Sequence, residues 1–236
     1  MRLILEEIEK NYDSKEVLKK ASFTFEKGKI YGLLGRNGAG KTTLFNCISG
    51  DTKFDGGKIK LWEEEKLETE DIYSKVGYVF SEPVLPDFLT GYEFLKFFID
   101  INKDKIEDLL TIEEYFEIIK IKDEDWYRLI KGYSHGMKNK LQMLCFLITR
   151  PPVILLDEPL TSFDVVVALE IKNLLKHIKS QHIIIFSTHI LQLAADLCDE
   201  IVVLNNGQLE SLNNEVLKSG EFEEKVVEIL KEGTND

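Results

Sequence analysis

The sequence has 236 residues, of which 44% are hydrophobic and 31% are charged. These proportions are ordinary for a globular protein and exclude a largely disordered chain. The length exceeds that of an average domain, so we expect one large domain or a core that carries an inserted subdomain. The formal net charge of −12 excludes no binding partner outright, but it opposes nucleic acid because phosphates would be repelled.

Cysteine usage and hydropathy predict a cytoplasmic location. Cys47, Cys145 and Cys198 are few, odd in number and far apart, which argues against disulfides and for a reducing compartment. The amino-terminal MRLILEEIEKNY lacks the apolar stretch of a secretory signal. The best apolar runs, VILLD and HIIIFS, fall far short of the roughly 20 residues that a membrane-spanning helix needs. If the protein works at a membrane, another chain must supply the span.

Short apolar runs rich in β-branched and aromatic residues predict the strands. They lie at Ile4–Ile8, Ala21–Phe25, Ile30–Leu34, Lys58–Leu61, Val76–Phe80, Val153–Leu156, His182–Ser187 and Ile201–Leu204. Helical patterns separate the later runs, which is typical of a mostly parallel sheet covered on both faces. The closely spaced early runs predict an antiparallel sheet at one edge. The fold class is therefore α/β.

The strand signal vanishes between residues 88 and 149, where leucine, isoleucine and phenylalanine recur at helical spacing. We interpret this stretch as an inserted helical subdomain, with Phe94, Phe97, Phe98 and Phe116 in its core. The predicted boundaries are 1–86 for the first part of the core, 87–150 for the helical subdomain, 151–212 for the second part of the core and 213–236 for the tail. One further helix is predicted in the tail, at Glu221–Lys231.

The stretch YGLLGRNGAGKTTLF joins a predicted strand to a predicted helix and matches the spacing GxxxxGK followed by Ser or Thr. Its glycines let backbone N–H groups and the positive helix end approach phosphate oxygens. Lys41 would add a charge at the β and γ phosphates, and the Thr42 hydroxyl would ligate Mg²⁺. A glycine-rich turn with an incidental lysine is the alternative. The candidate triphosphate-binding residues are Gly35, Asn37, Gly38, Ala39, Gly40, Lys41, Thr42 and Thr43.

A buried-looking strand, VILLDEP, ends in two acids at the edge where a parallel sheet opens on its ligand. Neighbouring residues of a strand point to opposite sides, so Asp157 and Glu158 should have different roles. Asp157 suits the Mg²⁺ shell, and Glu158 suits the polarisation of an attacking water. An acidic cap on a strand-to-loop turn is the alternative.

The stretch FSTHIL ends another predicted strand and places His189 at the same crevice. A structural role is the alternative, because a lone histidine at a strand end is more often structural than catalytic. We interpret His189 as a γ-phosphate contact, since it lies one strand beyond the acidic pair.

The order of these motifs, with YSHGMKNKLQM shortly before VILLDEP, resembles the ATP-binding subunit of ABC transporters over Leu3 to about Leu212. The resemblance implies a P-loop NTPase core with a mostly parallel sheet, an antiparallel β edge subdomain and an inserted α-helical subdomain. It implies ATP and Mg²⁺ as cofactors and ATP hydrolysis as the activity. It also implies a head-to-tail dimer with a second copy or a paralogous ATPase subunit. A transmembrane permease subunit would be the partner at the cytoplasmic face of the membrane.

The resemblance assigns further roles residue by residue. Tyr12 would stack on adenine, although a surface tyrosine beside a turn is the alternative. Ser134 and Gly136 would face the phosphates held by the opposite subunit. Asp164, in LTSFD, matches the loop that communicates between the two sites, and His189 matches the family's switch histidine.

Two departures from the family pattern stand out. Ser81 occupies the place of a glutamine and joins Thr42 and Asp157 as a candidate Mg²⁺ contact, with water able to bridge the shorter side chain. His135 replaces a glycine of the signature, and Met137 replaces a glutamine. These changes resemble exporter-type bacterial subunits. They also leave a second function open, that of an ATP-gated regulatory or interaction module with little hydrolysis.

Overall fold

The structure is a computed structural model that describes residues 1–63, 66–68, 72–106, 109–159, 165–212 and 222–232. The strands in that part of the chain are β1 Arg2–Tyr12, β2 Lys15–Glu26, β3 Ile30–Leu34, β4 Gly56–Glu63, β5 Lys66–Glu68, β6 Val76–Val79, β7 Val153–Asp157, β8 Ile183–Ser187, β9 Glu200–Asn205 and β10 Gln208–Leu212. The helices are α1 Lys41–Ser49, α2 Gly91–Asn102, α3 Ile112–Ile118, α4 Asp123–Trp126, α5 His135–Thr149, α6 Val165–Ile178, α7 Leu191–Leu197 and α8 Phe222–Glu232. Short 3-10 turns occupy Ile72–Lys75, Lys103–Lys105, Ile130–Gly132 and Lys179–Gln181.

The larger sheet has six strands in the order β10-β9-β3-β8-β7-β6. Strand β10 is antiparallel to β9, and the other neighbours are parallel. Every residue of β3, β7 and β8 is buried, which explains their unbroken apolar sequences. In the register, Ser187 of β8 pairs with both Leu33 of β3 and Asp157 of β7. The carboxyl ends of these three strands therefore meet at one edge.

The antiparallel strands form a second sheet of their own, in the order β2-β1-β4-β5. A backbone hydrogen bond of 2.8 Å from Lys19 N to Gly207 O joins it to the hairpin between β9 and β10. Its inner face shares a core with the larger sheet, in which Phe25 and Tyr31 make an edge-to-face contact at 5.0 Å. The predicted antiparallel β subdomain is confirmed.

Helices α2 to α5 surround a separate apolar core that includes Leu95, Phe116 and Leu144. Capping boxes at Thr90 and Thr111 start α2 and α3, since each threonine accepts a hydrogen bond from the glutamate N–H three residues later. The prediction that Phe97 lies in this core is wrong, because its side chain is 56% exposed. Two residues along a helix is a rotation of about 200°, so Phe97 lies opposite the buried Leu95.

The predicted tail helix is present as α8, and its start at Glu221 lies outside the described residues. Phe222 and Val226 bury its inner face against β9, and the Asn205 side-chain amide donates a 2.8 Å hydrogen bond to Ile229 O. The boundaries at 86/87, 150/151 and 212/213 stay predictions.

Among the described helices, none combines the length and the apolar character that crossing a bilayer requires.

Candidate active site

The phosphate loop spans residues 35–40, between β3 and α1. Gly40 has a φ of 105°, and a Cβ there would lie 2.7 Å from Val17 Cγ1 of β2. A Cβ at Gly35 would lie 2.9 Å from Leu204 O. Gly40 is required because its backbone is left-handed and Val17 packs against it. Gly35 is required because the backbone of Leu204 approaches too closely for a side chain.

The amino end of α1 is left without a side-chain cap, because its N-cap residue is Gly40. The first N–H groups of a helix lack intrahelical partners and carry its positive dipole end. Asn37 and Gly38 are exposed at the tip of the loop, and Ala39 N donates to Arg36 O at 3.0 Å. The loop therefore offers uncapped donors to an anion.

Lys41, the first residue of α1, directs its ammonium group back into the loop. Nζ donates to Gly35 O at 2.8 Å and to Arg36 O at 3.3 Å, and the residue is only 7% exposed. Burial lowers the pKa of Lys41, while the charges of Glu158 and Asp157 oppose that shift. When a nucleotide binds, negatively charged phosphate oxygens would replace these two carbonyl oxygens as the acceptors of the Lys41 ammonium group.

Asp157 is the centre of a buried polar network at the carboxyl end of β7. Thr42 Oγ1 donates to Asp157 Oδ2 at 2.9 Å, and Ser187 Oγ donates to Asp157 Oδ1 at 2.5 Å. The Tyr78 hydroxyl donates to Oδ2 at 3.4 Å. Burial, and then the charge of Asp157, raise the pKa of Tyr78 far above its usual value, so Tyr78 remains a donor.

The oxygens of Thr42 and Asp157 fit a magnesium ion. They lie 2.9 Å apart, close enough to ligate one cation together. In the described part of the chain, no three His, Cys, Asp or Glu side chains form a metal cluster. Mg²⁺ at nucleotide sites usually takes one or two protein ligands and completes its shell with phosphate and water, so this sparse donor set suits it.

Glu158 has different neighbours from Asp157. Its backbone adopts a φ of 48°, and its N–H donates to Ser187 Oγ at 3.0 Å. The side chain is partly exposed, and His189 Nδ1 lies 3.0 Å from Glu158 Oε1. Because an ionised carboxylate only accepts hydrogen bonds, Nδ1 of His189 carries the hydrogen in this contact. The two acids thus have different contacts, and their separate roles stay predictions.

Ser81 and Tyr12 are both exposed. Ser81 is exposed, two residues beyond Val79, which pairs with Leu156. Within the described residues, no hydrogen bond joins Ser81 to Thr42 or Asp157. Tyr12 is 45% exposed at the turn of the β1–β2 hairpin, with Lys10 Nζ 5.1 Å from its ring centroid.

The signature residues lie at the start of α5. Ser134 is the N-cap, and its Oγ accepts a 3.2 Å hydrogen bond from Met137 N. Ser134 and His135 are exposed and Gly136 is half-buried. Across the described chain, no hydrogen bond or ion pair links these residues to the phosphate loop. Asp164 lies outside the described residues.

Three residues that contact the site were not predicted from any sequence motif. Ser187 bridges Asp157 and the Glu158 N–H, Tyr78 donates to Asp157, and Val17 packs on Gly40. A polar residue that ends an apolar strand at the ligand edge was the available signal for Ser187. Nothing local in the sequence marks Tyr78 or Val17, because their contacts depend on tertiary structure.

Sequence comparisons agree with the geometry. The family model described as "ABC transporter" matches residues 18–161. The chain is 32% identical over 210 residues to the uncharacterized ABC transporter ATP-binding protein YxlF of Bacillus subtilis, covering 88% of this chain and 69% of that protein. It is 33% identical over 194 residues to a fluoroquinolones export ATP-binding protein of Mycobacterium tuberculosis, covering 81% of this chain and 63% of that protein.

Two solved structures share the fold. One, titled as the ATP binding subunit of an ABC transporter, has a TM-score of 0.81 at 23% identity and covers 97% of this chain and 99% of its own. The other is a dimeric post-hydrolysis state of the ATP-binding cassette MJ0796 bound to ADP and Pi, with a TM-score of 0.72 at 20% identity, covering 89% and 99%. With the phosphate loop, the acidic strand end and the separate signature helix, these matches show that the chain belongs to the ABC transporter family as its ATP-binding and ATP-hydrolysing subunit.

Proposed function

We propose that the chain forms a head-to-tail dimer whose magnesium-dependent ATP hydrolysis drives conformational change in a separate transmembrane permease. The observation that carries this proposal is the division of the site. The phosphate loop, Asp157 and Glu158 meet at one edge of the sheet, while the Ser134 hydroxyl at the start of α5 accepts from Met137 N, and among the described residues no hydrogen bond joins it to the phosphate loop or to Asp157. In the proposed dimer, a second chain brings its own Ser134 to this phosphate loop.

ATP binding is assigned to the loop and its flanking residues. Tyr12 stacks on adenine at the turn of its hairpin, and the N–H groups around Gly38 and Gly40 receive the phosphates. Lys41 exchanges its carbonyl partners for the β and γ phosphate oxygens. Thr42 and Asp157 would hold the magnesium ion, Ser81 would contact it directly or through a water, and the ion would neutralise phosphate charge.

Glu158 is the proposed general base. Its carboxylate accepts a proton from the attacking water, while the N–H bonds to Ser187 fix its backbone at the strand end. His189, oriented by its contact with Glu158, would contact the γ phosphate. Asp157 is assigned to the magnesium site instead, because it is buried in the network with Thr42 and Ser187, whereas the Glu158 side chain is partly exposed.

The dimer would use a second copy or a paralogous ATPase subunit. Ser134 and Gly136 of one chain would contact the phosphates on the other chain's loop, and Asp164 would lie between the two sites. The MJ0796 cassette, which has the same fold, is dimeric and binds ADP and Pi, and this supports the proposal of a dimer. In a head-to-tail pair related by a two-fold axis, two such sites form together.

The permease would place this subunit at the cytoplasmic face of a membrane. We propose export as the direction, because the similar Mycobacterium tuberculosis protein is named for fluoroquinolone export and because the signature departures at His135 and Met137 resemble those of exporter-type subunits. Cargo selection would reside in the permease.

A second candidate function rests on those same departures. Within the part of the chain that the structure describes, Ser81 makes no hydrogen bond with Thr42 or Asp157, and His135 puts a side chain where the family has glycine. An ATP-gated regulatory module with little hydrolysis would fit such a site. Steady-state phosphate release by the purified protein separates the two functions, since the module would bind ATP without magnesium-dependent turnover.

The deciding experiment is Glu158→Gln. We expect this variant to bind ATP with unchanged affinity and to lose about 100-fold or more in kcat, as removal of a general base does. Glu124→Gln, on the surface of α4, is the matched control and should behave like the wild type. Unchanged phosphate release from Glu158→Gln would contradict the proposal.

A further inference from the structure

One face of α5 contacts the loop that carries Ser81. The buried side chain of Gln142, 6% exposed, forms two hydrogen bonds with the backbone of this loop. Its Nε2 donates to Phe80 O at 3.3 Å, and its Oε1 accepts from Val84 N at 3.2 Å. Gln142 thus spans the three residues between them, Ser81 to Pro83.

Two further residues of α5 lie on the same face. Lys138 Nζ contacts Asp87 Oδ1 at 2.7 Å, and His135 Nδ1 lies 3.9 Å from Glu82 Oε2. Positions 135, 138 and 142 are spaced by three and four residues, which aligns them along one side of the helix. The loop is therefore attached to α5 at three points.

The same loop is also attached to the magnesium side of the site. The rings of Phe80 and Tyr78 lie 4.2 Å apart between centroids, and the Tyr78 hydroxyl donates to Asp157. A continuous series of contacts therefore runs from Asp157 through Tyr78 and Phe80 to Gln142. From Gln142 it continues along one helix to Ser134, about 12 Å away at 1.5 Å per residue.

We propose that Gln142 is a positioning residue that holds the Ser81 loop in register with α5, so that movement at the magnesium–nucleotide site reaches the signature residue Ser134. This inference rests on the proposed function. Gln142 suits the role because one amide supplies a donor and an acceptor together. Its burial keeps water from replacing it, so its loss would leave Phe80 O and Val84 N without their side-chain partner.

The first test is Gln142→Met, which keeps the side-chain length and removes both hydrogen bonds. We expect kcat for ATP to fall about tenfold, the scale of two lost hydrogen bonds, with the Kd for ATP unchanged. Gln142→Glu keeps the acceptor for Val84 N but places a carboxylate oxygen against Phe80 O in a buried site, so it should not restore the kcat of the wild type. The matched control is Gln192→Met, which removes a surface hydrogen bond to Asp196 and should leave kcat unchanged. Equal kcat in Gln142→Met and wild type would overturn the inference.

A double-mutant cycle with Ser81→Ala separates positioning from a general loss of structure. If Gln142 acts through the loop, Ser81→Ala should lower kcat in the wild type and have little further effect in Gln142→Met. Additive losses would overturn the inference, as would a Ser81→Ala variant that is fully active.

Hydrogen exchange tests the same link without turnover. In Glu158→Gln, diluted so that the chain is monomeric and no partner phosphates can reach the signature, Mg-ATP should slow amide exchange both in residues 80–87 and in residues 134–138. With Gln142→Met added, the loop should still respond while residues 134–138 no longer do. A retained response at 134–138 would refute the role of Gln142. Absence of ATPase activity in the wild type would instead refute the proposed function, and the exchange experiment would still test Gln142.

Discussion

The phosphate-loop half of the site and the signature half differ in how their polar groups are satisfied. Lys41 and Asp157 are buried, and each has at least two hydrogen-bond partners within the chain. Ser134 is exposed, and its hydroxyl caps its own helix. One half is already assembled in the single chain, whereas the other faces solvent.

This difference has a physical basis. Asp157 ends the buried strand β7, and the Lys41 ammonium group is buried against Gly35 O just past the end of β3; an unpaired charge at either place would be costly, so each is held by neighbours. Ser134 begins a helix on a separate apolar core, where its exposed hydroxyl needs only Met137 N and water as partners. The contrast supports the proposal that ATP affinity resides in one chain and that turnover requires two.

The change expected to have the largest effect breaks the assembled half. Lys41→Ala removes one of the two positively charged side chains at the phosphate loop, the other being that of Arg36. We therefore expect ATP affinity to fall on the order of 100-fold. Lys172→Ala, which removes a surface contact with Asp196 on α7, is the matched control. Binding of a fluorescent ATP analogue measures both, and full affinity in Lys41→Ala would contradict the assignment.

A smaller and more selective effect is expected from the signature half. Gly136→Asp places a negative charge where the partner's phosphates would lie, so kcat should fall more than tenfold through like-charge repulsion. The affinity of the dilute single chain for ATP should not change. Ser180→Asp adds the same charge at the remote 3-10 turn and serves as the control. A parallel loss of ATP affinity in Gly136→Asp would remove the distinction between the halves.

The smallest effect is expected on the stability of the fold, at His182, which lies at the end of β8 that is remote from the site. His182 is buried, and Nδ1 donates to Pro151 O at 2.8 Å. Burial lowers the pKa of His182 below its ordinary value near 6.5, and the charges of Lys27 and Arg150 add to that shift. The unfolded chain therefore binds a proton at a pH where the folded chain does not, so stability is lost as pH falls below about 6.5.

His182→Asn keeps a side-chain donor for Pro151 O and removes this titration. Between pH 7 and pH 5.5, the thermal unfolding midpoint should fall less in His182→Asn than in the wild type. His177→Asn, at an exposed position, should follow the wild type. Identical pH dependence in all three proteins would show that His182 does not contribute.

The parts of the site that consist of consecutive residues could be predicted from the sequence. Spacing alone marked the loop at 35–43 and the acids at 157–158, because local backbone geometry fixes their function. Strand periodicity predicted the α/β class in the same way. Phe97 was misassigned because an apolar residue on the solvent side of α2 cannot be told from a core residue by type.

The remaining features depend on register between distant segments. Ser187 meets Asp157 only because β7 and β8 are paired, and Gln142 reaches Phe80 across 62 positions of the chain. No short motif encodes such contacts. These contacts also connect the separate parts of the site. The coupling between those parts could therefore be proposed only from the structure.

Mixing two inactive variants tests the divided site most directly. In a head-to-tail dimer, Lys41→Ala supplies an intact signature and Gly136→Asp supplies an intact phosphate loop, so each mixed dimer regains one complete site. With random pairing of equal amounts, half of the dimers are mixed, and ATPase activity should recover to roughly a quarter of the wild type. If loop and signature of the same chain worked together, the mixture would stay as inactive as its components, and the central claim would be wrong.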